Sequence, residues 1–344
     1  MNHSDPDNML SYIDAMPDDL EKAWKLGHKL ALPEVKEIKQ IVISGMGGSA
    51  IGGDFLGSYL ADRCPVPVFS RRNYGLPAFA KGTETLVVCS SHSGNTEETV
   101  SGFKAAQAAG CSVLALCTGG YLADLTLEHQ NPLWLFEHHG QPRTAIPYSF
   151  GLLLALVERL GLAHDVEVEV MDAIATMREQ RPSLTDSSPL THNPAQRLAG
   201  QLIERNVAIF GAGENEVIAR RWKTQINELA KAWASFEGLP EMNHNTLAGL
   251  LNPESLYERT SAIFLRGPMD HPRNQMRLDA TLQAFLQAGI MADTVWAKGS
   301  TKLGQMWSLL QFGDYVSYYL ALLYQVDPTP VDSLTALKQR LSKN

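Results

Sequence analysis

The chain has 344 residues, 44% apolar and 19% charged, a balance that fits a globular protein and excludes disordered, fibrous and collagen-like classes. That length holds two core-sized units or one large α/β body. A formal net charge of −8 argues against a nucleic-acid or anionic-membrane partner held by bulk positive charge.

The opening stretch MNHSDPDNML is acidic and polar, with neither a charged leader nor an apolar signal core. The longest apolar segment, FGLLLALVERL, is broken by Glu158 and Arg159 and is too short to span a bilayer, so no membrane is expected. Cys64, Cys89, Cys111 and Cys117 form no CxxC, and three of them lie in β-like runs, where Cys acts as a small apolar residue. These features predict a reduced, cytoplasmic protein.

Residues 1–40 read as a helical N-terminal segment. After them the same order of elements occurs twice. IKQIVISGMGGSAIGGDFLGSYL is a β-branched run, a Gly-rich turn and a helix, and RNVAIFGAGENEVIARRWKTQINELA repeats it. TLVVCSSHSGNTEETVSGFKAAQAAG has its counterpart in SAIFLRGPMDHPRNQMRLDATLQAFLQAG, and CSVLALCTGG in MADTVWAKG. Each half closes on an apolar helix, YSFGLLLALVERLGL or GQMWSLLQFGDYVSYYLALLY. Strands alternating with helices predict βαβ units and a parallel sheet in each half, and continuously apolar strands predict sheets covered on both faces. The expected organisation is an N-terminal helical segment (1–40), a first α/β unit (41–177), a Pro/Ser/Thr-rich linker (178–198), a second unit (199–330) and a C-terminal helix (331–344).

In parallel α/β sheets, ligands gather at the carboxyl ends of strands, where helix N-termini present N–H groups and the positive end of the dipole. GMGGSAIGG and SSHSGNTEET both fall there. Glycines at 45, 47 and 48 would let backbone approach a ligand, and Ser49, Ser91, Ser93 and Thr96 add hydroxyls. Hydroxyls and amides without Lys or Asp suit a phosphate monoester. A plain N-cap from Ser93 or Thr96 would explain one hydroxyl rather than four. Residues 45–50 also satisfy G-x-G-x-x-[GA], and Arg71-Arg72 end the next strand, which keeps an NADP-dependent reading open. No G-K-[ST] follows a Gly-rich turn, so a Walker A loop is excluded. The second half lacks this equipment, with Glu216 in its turn and no hydroxyl cluster in RGPMDHPRN.

The paired units, with GMGGSAIGGD and SxSGNTEET in the first, resemble a tandem sugar isomerase (SIS) fold: an α/β protein with two SIS-type subdomains, each a parallel sheet flanked by helices. RRWKTQINELA, LPEMNHN and FGDYVSYYLALLYQVDPTPV narrow the resemblance to the bifunctional phosphoglucose/phosphomannose isomerases. It implies metal-independent interconversion of glucose 6-phosphate, mannose 6-phosphate and fructose 6-phosphate, with no cofactor. It implies phosphate contacts from Gly47, Gly48, Ser49, Ser91, Ser93 and Thr96, a base at Glu228, a ring-opening histidine at His244, a cation at Arg143 and a ring-oxygen contact at Lys338. It also implies a homodimer in which His244 is delivered across the interface. His92 stands where the family pattern expects an aromatic residue, and Leu229 where it expects Asn. The adjacent His138-His139 lacks metal-ligand spacing.

The chemistry suits those residues. One carboxylate reaching C1 and C2 can move a proton between them, an imidazole can exchange a proton with the ring oxygen near neutral pH, and a fixed guanidinium can face the enediolate charge. Taken without the resemblance, Glu228 reads first as a solvated helix residue, His244 equally as a surface or capping histidine, Arg143 as the ion-pair partner of an acidic neighbour and Lys338 most simply as a helix-surface lysine. Two other functions fit a phosphate cup: a sugar-phosphate sensor, usually preceded by a DNA-binding helix-turn-helix, and an isomerase of amino-sugar or ketose phosphates.

Overall fold

The structure is a computed structural model, and it describes residues 5–35 and 37–341. Residues 1–4 of the expected N-terminal segment, together with Lys36, and 342–344 of the expected C-terminal helix lie outside the described residues. Helices α1 (Met9–Asp14) and α2 (Met16–Gly27) come first, then β1 (Gln40–Ser44), α3 (Gly47–Leu60), β2 (Val68–Arg71) and β3 (Thr85–Ser91). They are followed by α4 (Glu97–Ala108), β4 (Ser112–Cys117), α5 (Gly120–Glu128), β5 (Leu133–Leu135), α6 (Ile146–Arg159) and α7 (Val166–Leu184). The chain goes on through α8 (Pro194–Leu202), β6 (Asn206–Ala212), α9 (Asn215–Leu229), β7 (Ala234–Leu239) and β8 (Thr260–Arg266). It ends with α10 (Pro272–Gln287), β9 (Met291–Trp296), α11 (Lys302–Leu323) and α12 (Asp332–Leu341).

These elements gather into two units. One takes Ala15–Arg178 and Gly299–Gln305; the other takes Glu179–Lys298 with the described residues of 1–14 and 306–344. This differs from the division expected from the sequence. The N-terminal segment does not stand apart: α2 belongs to the first unit, whereas α1 belongs to the second, where Tyr318 Oη donates to Asp5 at 3.1 Å and Tyr315 pairs with Asp14. Residues 299–305 join the first unit because the Asp172 carboxylate accepts from Ser300 Oγ (2.6 Å), Thr301 N (2.9 Å) and Thr301 Oγ1 (2.7 Å). The expected linker is helical at both ends. Its central Asn193 caps α8 by accepting from Ala195 N and Gln196 N, each at 3.0 Å.

The first sheet is parallel, in the order β2-β1-β3-β4-β5. Alternation sends Val42, Val87, Cys89, Val113, Ala115 and Cys117 into one core cluster with Phe103 and Leu122. Their neighbours Ile41, Ile43, Leu86, Val88, Leu114 and Leu116 are buried as well, so both faces are covered and β3 is buried along its whole length. The second sheet, β7-β6-β8-β9, repeats the first four positions of that order and has no counterpart to β5 among the described residues. Phe210, Phe264 and Phe285 form its aromatic centre, with ring centroids 5.0–5.6 Å apart. Among the described residues no helix is long and apolar enough to cross a membrane.

Candidate active site

The carboxyl ends of β1 and β3 lie side by side in the first sheet, and each strand turns there into a helix whose N-terminus no side chain caps. Thr96 occupies the capping position of α4 in an extended conformation, yet its hydroxyl meets Ser91 Oγ at 2.9 Å instead of the helix amides. The first-turn N–H groups therefore keep their dipole for something outside the helix. A simple N-cap does not explain these hydroxyls.

The hydroxyls divide by exposure. Ser49 and Ser91 are buried and brace the loops: Ser49 Oγ accepts from His92 N at 3.1 Å, joining the β1 turn to the β3 turn, and Ser91 Oγ accepts from Gly94 N at 3.1 Å. Ser93 and Gly47 are exposed and Thr96 is half-buried, so these three face outward. When Ser91 donates to Thr96 Oγ1, the Thr96 proton is left for an acceptor beyond the protein. Gly94 has φ +68°, and a Cβ there would lie 1.7 Å from Gly119 O, so only glycine lets the loop pass so close to the next turn.

In the β1 turn the missing side chain of Gly48 makes room for the protein's own backbone. At Gly48 the space of a Cβ is filled by Pro142 O at 2.4 Å and Arg143 Cα at 3.3 Å. Gly48 thus admits the protein's own backbone, a short 3-10 turn (Pro142–Thr144) pressed against the start of α3. That turn carries Arg143, 3% exposed, to the hydroxyl-lined loops. The two arginines that kept an NADP reading open are otherwise engaged. Arg72 makes a two-pronged pair with Asp54 (2.8 and 2.6 Å), and Arg71 donates to Tyr74 O at 3.2 Å.

Sequence reasoning missed His138 and Thr144. His92 Nε2 lies 2.9 Å from His138 Nδ1, and His138 Nε2 lies 3.3 Å from Thr144 Oγ1. Stacked Phe136 and Tyr148 rings flank them. Burial pushes the His138 imidazole down to about 4, helped by His92 beside it, and burial lowers His92 too. The available signal was the His138-His139 pair just after β5, set aside because it lacked metal spacing.

The remaining expected residues sit in the second unit. Glu228 is half-buried in the last turn of α9, where Lys231 Nζ donates to its carbonyl oxygen at 2.7 Å. His244 ends a 3-10 turn (Glu241–His244) after β7 and is exposed. Of its neighbours, Asn243 is half-buried and donates from Nδ2 to Thr281 Oγ1 (2.8 Å), whereas exposed Asn245 donates from Nδ2 to Glu241 Oε1 (3.1 Å). Lys338 is exposed on α12, a helix with no buried residue.

A bifunctional phosphoglucose/phosphomannose isomerase from Caldicellulosiruptor bescii is 36% identical over 337 residues, covering 97% of this chain and 99% of that protein. The chain belongs to the bifunctional phosphoglucose/phosphomannose isomerase family. A relative of the same name from Aquifex aeolicus is 33% identical, over 89% of this chain and 91% of its own. The family described as bacterial phospho-glucose isomerase C-terminal SIS domain matches residues 191–341, which takes in Glu228, His244 and Lys338. A hypothetical protein from Thermus thermophilus shares the fold, with a TM-score of 0.74 at 15% identity over 99% of this chain and 91% of that one. The architecture is thus the α/β, two-subdomain SIS type of the phosphoglucose/phosphomannose isomerases.

Proposed function

We propose that the chain is an aldose–ketose isomerase that interconverts glucose 6-phosphate and mannose 6-phosphate with fructose 6-phosphate. The observation that carries this reading is the pair of uncapped helix N-termini lined by hydroxyls, with Arg143 buried against them, in a chain 36% identical to a named isomerase of that type along almost its whole length. Gly47, Gly48, Ser93 and Thr96 hold the phosphate through amides and hydroxyls, with Ser49 and Ser91 setting their positions. The hexose is the partner, acted on without a metal or a cofactor in a cytoplasmic homodimer.

With the phosphate fixed, the sugar chain is delivered to the proton-transfer groups. His244, supplied by the second subunit, moves the proton that opens the ring, and Lys338 contacts the ring oxygen. Glu228 takes the proton from C2 of the open aldose; the C2–H electrons form the C1–C2 double bond, and the carbonyl π electrons move to O1. The resulting enediolate charge faces Arg143. The O2 proton passes to O1, and the protonated Glu228 then returns its proton to C1, where the C1–C2 π electrons form the new C–H bond while the O2 electrons form the ketose carbonyl. Both aldose epimers lose their C2 configuration in one planar enediolate, so a single site serves both.

A coupled assay with EDTA present tests this reading. Fructose 6-phosphate should form from both aldose phosphates at comparable efficiency; turnover of neither contradicts it. Mixing Glu228→Gln and His244→Ala proteins should restore activity, and no recovery in proven mixed dimers would reject a shared site.

A further inference from the structure

The imidazoles of His92 and His138 belong to one directed hydrogen-bond chain. Thr144 has a single hydroxyl proton, which it donates to Gln141 O at 2.8 Å. At the 3.3 Å contact with His138 it can therefore only accept, and His138 carries its proton on Nε2. A neutral His138 then has a bare Nδ1, which accepts at 2.9 Å from His92 Nε2–H. This network assigns the Nε2–H tautomer to both rings. The chain starts in the loop whose His92 amide donates to Ser49 Oγ and whose His92 carbonyl accepts from Thr118 Oγ1 at 2.7 Å. It ends on Thr144, the residue after Arg143.

The turn bearing Arg143 is thereby held at both sides. Pro142 O presses on Gly48 at the start of α3, and Thr144 is tied through two rings to the loop after β3. We propose that His92 and His138 are positioning residues, a neutral imidazole relay that fixes Arg143 relative to the phosphate-binding loops. This rests on the isomerase reading for its catalytic consequence, though not for its geometry. A second proton on His138 would set N–H against N–H and break the relay. The groups facing it are His92, His139, Asp19 and the Tyr148 ring, of which only Asp19 favours the charge, and burial keeps the ring neutral.

Two measurements on the full-length protein test the relay. Long-range ¹H–¹⁵N spectra of imidazole-labelled protein should show both rings protonated at Nε2 alone at pH 7; an Nδ1–H tautomer on either ring overturns it. In steady state, His92→Phe and His138→Phe should each lower kcat about fivefold, roughly one lost hydrogen bond, with KM changed less than about twofold. The double variant should lose no more than either single one, and His92→Gln, which keeps an N–H donor, should recover most of the rate. Additive losses, or a raised KM at unchanged kcat, contradict the proposal. If the wild type turns over neither aldose phosphate, the isomerase reading fails, while the tautomers and a double-mutant cycle on unfolding free energy still decide the relay.

Discussion

The two sheets share a strand order, and the turns at their carboxyl ends have diverged in opposite directions. In the first, the α4 N-terminus is left uncapped and the hydroxyls of Ser93 and Thr96 face outward. In the second, the matching turn satisfies itself. His271 Nδ1 accepts from Arg273 N at 3.1 Å and caps α10, while the Asp270 carboxylate accepts from Gly267 N (2.8 Å) and Asn215 Nδ2 (2.9 Å). A site that holds its own carboxylate has no room electrostatically for a phosphate. On the proposed function, one topology yields an anion receptor where donors are left over, and a scaffold for proton-transfer groups where they are consumed. The proposed base and histidine lie in the unit without the cup.

That division of labour predicts its largest effect at Glu228. Glu228→Gln should lower kcat by ~10²–10⁴-fold with fructose 6-phosphate affinity nearly unchanged; a kcat within about tenfold of wild type would place the base elsewhere. The second unit is also held differently, by Arg221 and Asp314, both about as buried as apolar core residues, paired through Nε–Oδ1 (3.1 Å) and Nη2–Oδ2 (2.7 Å). Asp314→Ala removes the carboxylate paired with a buried guanidinium and should cost about 3–5 kcal/mol in urea unfolding. A loss below about 1 kcal/mol would mean that solvent reaches Arg221.

Matched substitutions in the two turns sharpen the comparison. Ser93→Ala, at an exposed hydroxyl, should weaken hexose 6-phosphate binding about tenfold by calorimetry and leave stability near wild type. His271→Ala should do the reverse, lowering stability by about 1 kcal/mol through the lost cap without changing affinity. If the two variants behave alike, the contrast between the turns is wrong. The smallest effect concerns Asp270, whose carboxyl burial raises from 3.8 to about 6, with the Glu214 charge adding to it and the Gly267 amide opposing. The fold favours its protonated form, so that contribution is whole below pH 3.8 and is lost as pH rises through about 6. Unfolding free energy measured across that window should fall more steeply for wild type than for Asp270→Asn; equal slopes contradict the assignment.

Much of this was legible in the sequence. The repeated run of strand, Gly-rich turn and helix gave both sheets, since continuous apolar strands such as LVVCSS have no other stable place than between two helix layers. The hydroxyl run from Ser90 to Thr96 marked the turn after β3, where the α4 N-terminus has no side-chain cap. What pattern could not supply was the meaning of each member: whether Ser91 faces a ligand or braces Thr96, and whether Gly48 admits a phosphate or the Pro142 carbonyl. Those depend on how the loops fold back on one another and on segments far along the chain. The N-terminal segment was misjudged for the same reason, because Asp5 and Asp14 find their tyrosine partners on α11. The His92–His138 pair was hidden by a sequence separation of 46 residues and by a search for metal spacing.

A crystal structure with fructose 6-phosphate bound tests the central claim most directly. The phosphate oxygens should lie about 2.7–3.2 Å from Thr96 Oγ1, Ser93 Oγ and the first amides of α3 and α4, with the carboxylate of Glu228 against C1 and C2. A phosphate seated instead at the Gly213–Asn215 and Asp270 end of the second sheet, or away from both sheets, would contradict it.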